Sequence, residues 1–144
     1  MNLRNTLIAM LRYALSVAVV LTLAGTVWGD DITGEDDFLC ASANVNVCLD
    51  DGSCISAVPW EVGVPDFMNV DLKKRRLSTT ESSGENRATE IDAIERLNGH
   101  IYLHGVDGDR VFSFVIDEMS GFITAAIARD GLTVTVFGSC TPTP

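Results

Sequence analysis

Short apolar runs separated by glycine-containing turns dominate the second half of the chain. The runs are rich in valine, isoleucine, phenylalanine and threonine, which are residue types that favour strands. Asn-Gly and Asp-Gly pairs suit tight hairpin turns because asparagine and glycine tolerate positive φ. Four turn pairs occur in this half of the chain, with 9, 13 and 10 residues from one pair to the next: Asn98-Gly99, Asp107-Gly108, Ser120-Gly121 and Asp130-Gly131. This spacing predicts consecutive antiparallel strands joined by hairpins.

Alternation within these runs predicts which side of each strand faces the core. After Gly99, Ile101 and Leu103 point to one side, whereas the other side carries His100, Tyr102 and His104. The next run is apolar on both sides, which predicts a strand in the middle of the sheet. The further predicted core rows are Phe112, Phe114 and Ile116, then Ile123, Ala125 and Ile127, then Val134 and Val136.

The first half of the folded region predicts a hairpin and a further strand. "DFLCASANVNVCLDDGSCISAV" is typical of a hairpin held by a disulfide. "FMNVDLKKRRL" predicts one strand, in which Met68, Val70 and Leu72 share a side.

Residues 77–97 are less uniform. Residues 77–87 are polar and lack periodicity, which predicts an exposed, mobile loop. Residues 88–97 fit a helix through Ile91, Ile94 and Leu97, but they also fit an alternating strand. We expect a strand because the neighbouring segments are strands.

Residues 1–29 have the order of regions found in a secretory signal peptide. Arg4 and Arg12 precede or flank an apolar run from Tyr13 to about Val27, and no acidic residue occurs before Asp30. The run is short for a bilayer span of about 20 residues, which argues against an uncleaved anchor. We predict cleavage between residues 29 and 30 and a periplasmic or secreted location in a bacterium.

The cysteine count changes the picture of the domain that would remain. Cys40, Cys48, Cys54 and Cys140 form an even set, which in a small exported domain predicts two disulfides. Three pairings can be drawn. The turn sequence "LDDGS" favours a pairing of Cys48 with Cys54 across a hairpin, which would leave Cys40 to join Cys140. A zinc site is disfavoured because the spacings lack paired C-x2-C knuckles.

We therefore predict a single all-β domain over residues 30–144. Its expected architecture is one antiparallel meander of six to eight strands, which forms a small barrel or sandwich and is stapled by two disulfides. Without Arg4 and Arg12 the domain has eight basic residues against 20 acidic ones, a net charge of −12. Such a field disfavours nucleic acids and anionic membranes and favours solubility or a basic partner.

The two histidines are four residues apart, a spacing at which a helix could present both to one metal ion. On a strand, which rises about 3.3 Å per residue, their Cα atoms would be about 13 Å apart. Zinc holds imidazole nitrogens at about 2.0–2.1 Å, so a shared ion is disfavoured. We predict no metal site and no cofactor. We interpret His100, Tyr102 and His104 as a row that faces solvent or lines a barrel, and as candidate ligand contacts.

Two further features are candidate contacts with a partner or ligand. Lys73 and Arg75 belong to the only dense basic run, and arginine suits carboxylate ligands, although a solvated turn is the simpler interpretation. Trp60 lies in a proline-flanked connector, where it either plugs one end of a barrel or forms a binding contact; we favour the plug. No G-x-S-x-G, H-E-x-x-H, C-x-x-C or glycine-rich phosphate loop occurs, so no catalytic residue is predicted.

The pattern over residues 38–142 resembles that of a loose group of small exported proteobacterial-type proteins rich in β-structure. The resemblance rests on the Cys40/Cys48/Cys54 cluster, "PDFMNVDL", "NGHIYLHGVDGDRVFSFVIDEMSGFITAAIARDG" and "VFGSCTP". It implies export and a β-rich fold, and it implies no activity and no site residues.

Together these features favour a non-catalytic binding domain whose partner is a small ligand or another envelope protein. No nucleic acid is expected as a partner, and no membrane after signal cleavage. An alternative is an inhibitor of a basic envelope hydrolase such as lysozyme, which the net charge would suit. An enzyme is the least favoured class.

Overall fold

The computed structural model describes residues 30–84 and 86–143, so the predicted signal peptide lies outside the described residues. This part of the chain contains ten strands, two short 3-10 turns at Pro59–Val62 and Glu81–Ser83, and no α-helix. The strands are β1 (Asp37–Leu49), β2 (Cys54–Ala57), β3 (Phe67–Asp71), β4 (Arg76–Thr79), β5 (Ala88–Glu90), β6 (Ala93–Leu97), β7 (His100–Asp107), β8 (Arg110–Asp117), β9 (Phe122–Arg129) and β10 (Leu132–Pro142). The predicted all-β class is confirmed.

All ten strands belong to one antiparallel sheet, in the order β5-β4-β3-β1-β10-β9-β8-β7-β6. β2 lies off this path, paired with the second half of β1. The first half of β1 pairs with β3, and nearly its whole length pairs with β10. The sheet curves into a half-barrel whose terminal strands, β5 and β6, follow each other in the chain and are separated only by Ile91 and Asp92.

Several sequence predictions need correction. The strand number is ten within the described residues rather than six to eight, and the single meander is instead two runs of hairpins joined through β1. The predicted strand "FMNVDLKKRRL" is a hairpin of β3 and β4, because the chain turns at residues 72–75. β4 also takes up residues 77–79 of the predicted loop. Residues 88–97 are extended as expected, but they form two strands.

The predicted turns and core rows are confirmed. Gly99, Gly108, Gly121 and Gly131 all have positive φ, between 64° and 77°. Every residue of the predicted inward rows on β7 to β10 is buried except Ile127, which is half-buried. β8 is a central strand, as its two apolar faces predicted, but Val111 and Val115 on its outer face are exposed.

The segment before β1 closes one end of the half-barrel, which we call the closed end. The Ile32 side chain is completely buried there, and its backbone N–H donates to the carbonyl of Glu118 at 2.8 Å. Arg96 pairs with the largely buried Glu118 at 3.2 Å and with Asp36 at 3.4 Å. The β7–β8 and β9–β10 turns lie at the opposite end, which we call the open end.

Both predicted disulfides are present. Cys40 and Cys140 occupy paired positions of β1 and β10, and their link spans 100 residues of sequence. Cys48 and Cys54 occupy paired positions of β1 and β2, with a separation of 6 residues. Among the described residues there is no helix with the length and apolar character of a transmembrane span.

Hydrogen bonds within turns lower the pKa of several carboxyl groups. The Lys74 ammonium, and after it the backbone N–H of the same residue, holds the pKa of Asp71 below its ordinary value of 3.8. The backbone N–H of Ser120, followed by its hydroxyl, lowers the pKa of Asp117 in the same way. Hydrogen bonds from the following turn also lower the pKa of Asp31 and Asp51.

Removal of the long disulfide should destabilise the domain more than removal of the short one. The chain-entropy model gives about 4–5 kcal/mol for Cys40→Ala with Cys140→Ala, and about 2–3 kcal/mol for Cys48→Ala with Cys54→Ala. Urea unfolding followed by circular dichroism measures both losses. An equal or larger loss for the Cys48–Cys54 pair would contradict this order.

Acid should also destabilise the domain. A carboxyl group whose pKa is lower in the folded state contributes stability that is complete above its unfolded pKa and is lost as the pH falls through its folded pKa. We therefore expect the free energy of unfolding, measured with urea, to decrease from about pH 4 to about pH 2. Asp117→Ala should lower stability at pH 7 and flatten this decrease, and the exposed turn variant Asp109→Ala is the control. An unchanged acid profile for Asp117→Ala would contradict the assigned cause.

Candidate functional site

A cavity of about 320 Å³ opens at the open end of the half-barrel. Its floor consists of core side chains from four strands: Val47 of β1, Leu77 of β4, Phe112 and Phe114 of β8, and Val134 of β10. Ligand pockets typically measure about 300–1,000 Å³ and are lined mainly by apolar side chains. The cavity is therefore an accessible extension of the core and has the size of a small-molecule site.

The connector between β2 and β3 forms one wall of this cavity through residues 62–65. The 3-10 turn Pro59–Val62 lies within this connector and is followed by Gly63, which has a left-handed φ of 69°. The Arg87 guanidinium donates from Nη2 to the Gly63 carbonyl at 2.8 Å. This bond fixes the connector to the segment that leads into β5.

Gly105 allows the floor of the cavity to pack closely. A Cβ atom at this position would lie 2.3 Å from the ring of Phe112 and 2.9 Å from the backbone carbonyl of Glu90. The missing side chain therefore lets the ring and the end of β5 approach β7. The rings of Phe112 and Phe114 are 5.4 Å apart and inclined at 53°, a favourable tilted arrangement.

Three of the basic residues line the cavity, namely Arg87, Arg110 and Arg129, whereas Asp107 is the only acidic residue that lines it. Arg110 continues the inward row of Phe112 and Phe114, and Arg129 continues the inward row of β9. The β8–β9 pairing ends at Val111 and Ala128, so Arg110 and Arg129 lie one position beyond it, at adjoining ends of the two strands. Two cations thus line the mouth of an apolar cavity.

Arg110 and Arg129 are only partly neutralised by the described residues. Arg110 forms an ion pair with Asp107 at 3.2 Å, with both side chains about 40% exposed. Its Nε atom is buried and has no hydrogen-bond partner in the described part of the chain. Arg129 is exposed and forms no ion pair within residues 30–84 and 86–143. The mouth therefore carries more positive than negative charge, in a protein whose net charge is −10.

The histidine row lies on the outer face of β7 and does not line the cavity. Ile101 and Leu103 between them are completely buried, whereas His104 is exposed and His100 and Tyr102 are half-buried. His100 Nε2 lies 3.5 Å from the carboxylate of Asp117. Its Nδ1 lies 3.1 Å from the carbonyl of Asn98.

A second, more open depression of about 400 Å³ lies on this outer face. His104 lines it, together with the small residues Gly105, Ser113, Ala126 and Ala128. No group of three or more histidine, cysteine, aspartate or glutamate side chains among the described residues could hold a metal ion.

The other predicted contact residues also lie away from the cavity lining. Lys73 pairs with Asp36 at 3.4 Å across exposed side chains. Arg75 holds the junction of β5 and β6, because its guanidinium donates to the carbonyls of Ile91 and Asp92. Trp60 is 69% exposed, so the prediction that it plugs the barrel is wrong. It lies two residues before Val62, which does line the cavity.

Arg87, Arg110 and Arg129 were not among the predicted site residues. A signal for two of them was present. Arg110 and Arg129 stand in phase with inward apolar rows, and each is next to an Asp-Gly turn of alternate hairpins, which place their turns at the same end of a sheet. Arg87 precedes a short strand and carries no such periodic signal.

Comparison with known proteins adds no relative to this description. A scan of the sequence against models of protein families matches none of them, and a search of curated proteins finds no similar sequence.

Proposed function

We propose that this protein is a non-catalytic binding protein that holds a small, largely apolar molecule in the cavity at the open end. The observation that carries this proposal is the 320 Å³ space floored by core side chains. A ligand there would gain by covering apolar surface that the fold leaves in contact with water, at roughly 25 cal/mol per Å² before the costs of binding.

The proposed location is the bacterial periplasm or the cell exterior. Two disulfides suit an oxidising compartment, and the signal-like order of residues 1–29 would direct the chain there. The hydrolase-inhibitor alternative rests on the net charge and the disulfide-stapled frame. No feature of the described residues favours it over simple solubility.

The disulfide-bonded protein should bind the neutral apolar dye N-phenyl-1-naphthylamine, with an increase in dye fluorescence. Ile127→Trp should reduce this binding at least about 10-fold, because Ile127 is a half-buried residue of the cavity wall and a larger ring would occupy the space. Thr124→Trp is the matched control, since Thr124 is an exposed residue of the same strand. Thr89→Trp, from the opposite wall, is a second blocking variant.

Thermal unfolding would show whether each tryptophan variant is folded. Dye binding that is absent from the unmodified protein, or that is equally strong in the folded blocking variants, would contradict the proposal. Native mass spectrometry of protein purified from its own source would independently show a retained small molecule.

A further inference from the structure

The charged residues at the cavity mouth indicate the chemical class of the ligand. Three arginines and a single aspartate line the cavity, although acidic residues outnumber basic ones two to one in the whole sequence. Asp109 and Asp130 are the neighbouring turn residues, but they are exposed and do not line the cavity. The positive charge at the mouth is therefore a local feature of the site.

Arg110 and Arg129 lie on the cavity side at adjoining ends of β8 and β9, one position beyond the last paired residues, Val111 and Ala128. Like charges on neighbouring strands repel each other. Asp107 offsets part of this repulsion through its ion pair with Arg110. The buried Nε of Arg110 still lacks a hydrogen-bond partner in the described part of the chain. A guanidinium fork with unused donors matches the two oxygens of a carboxylate or phosphate.

Below these arginines the lining becomes apolar. Arg110 is followed along its strand by Phe112 and Phe114, and Arg129 is preceded by Ile127, all on the cavity side. A molecule that enters the cavity therefore meets cations first and aromatic and aliphatic side chains further in. This order matches an anionic headgroup joined to an apolar chain.

We propose that the ligand is a single-chain amphiphile with a carboxylate or phosphate headgroup. The headgroup is held by Arg110 and Arg129, and the apolar chain lies against Phe112, Phe114 and the other floor residues. This inference rests on the proposed function, because it names the ligand class of the same cavity.

The test compares ligands that share a ten-carbon chain: decanoate, decyl phosphate, neutral decanol and cationic decyltrimethylammonium. Isothermal titration calorimetry on the disulfide-bonded protein measures the affinities, with each ionic ligand kept below its micelle concentration and decanol below its solubility limit. At least one of the two anions should bind about 10-fold or more tightly than decanol, and the cation should bind most weakly. The stronger anion identifies the headgroup. High salt should weaken anion binding and leave decanol binding in place.

Arg110→Gln and Arg129→Gln should each remove most of the preference for the anion, measured as the ratio of anion affinity to decanol affinity. Arg76→Gln is the control, because Arg76 is a basic residue at the start of β4 that does not line the cavity. Asp107→Asn should strengthen anion binding, since it removes the only carboxylate of the lining.

The outcomes separate this inference from the proposed function. Equal binding of anions and decanol, or a preference that survives both arginine substitutions, would overturn the inference while the cavity remained a binding site. Failure of all four amphiphiles and of the neutral dye would overturn both.

Discussion

The pairing of β1 with β10 is the interaction on which the rest of the fold depends. Most other strand pairs join neighbours in sequence, whereas this pair brings together residues 38–49 and 132–142. It joins the strands β3 to β5 on one side to the strands β6 to β9 on the other in a single sheet, and it carries the Cys40–Cys140 disulfide. The register shifts between Ser42 and Asn44, opposite Gly138, where a Cβ would lie 2.0 Å from the Ala41 carbonyl. Only glycine lets the two backbones approach so closely at this point.

The long β1 strand also explains why the two ends of the half-barrel differ. Its first half is covered by β3, and the segment before it carries Ile32 into the closed end. On the edge of β1 away from β10, the second half pairs only with the short strand β2. After β2 the chain leaves the sheet through the connector that contains residues 62–65. Residues 62–65 of the connector line the cavity without forming a strand beside β1. The core is therefore sealed at one end and accessible at the other, so the cavity follows from the same pairing that closes the fold.

Local patterns in the sequence were sufficient to predict the fold class, the turns, the inward rows and the disulfides. Alternation of apolar and polar residues and turn pairs that contain glycine involve only neighbouring residues, so they can be recognised without knowledge of the fold. The hairpin at Lys73–Arg76 was missed because its turn lacks glycine, and Arg75 adopts a φ of 53° there. The cavity could not be predicted, because its lining comes from β1, the β2–β3 connector, β3 to β5 and β7 to β10, which only the fold brings together. The two histidines were predicted contacts because of their chemistry, but the alternation of side chains along β7 directs them to the outer face.

The acidic surface and the basic mouth act over different distances. At physiological ionic strength the screening length is about 8 Å, so the field of distant exposed carboxylates is weak at any one site. An approaching anion is repelled by the protein as a whole, but the charged residues at the mouth are Arg110, Arg129 and Asp107, of which two are positive. In the proposed complex, the apolar floor below them would provide affinity that depends on buried area and is indifferent to the sign of charge. Sign selectivity and affinity would then come from separate parts of the cavity, and substitutions at its mouth and its floor would distinguish the two contributions.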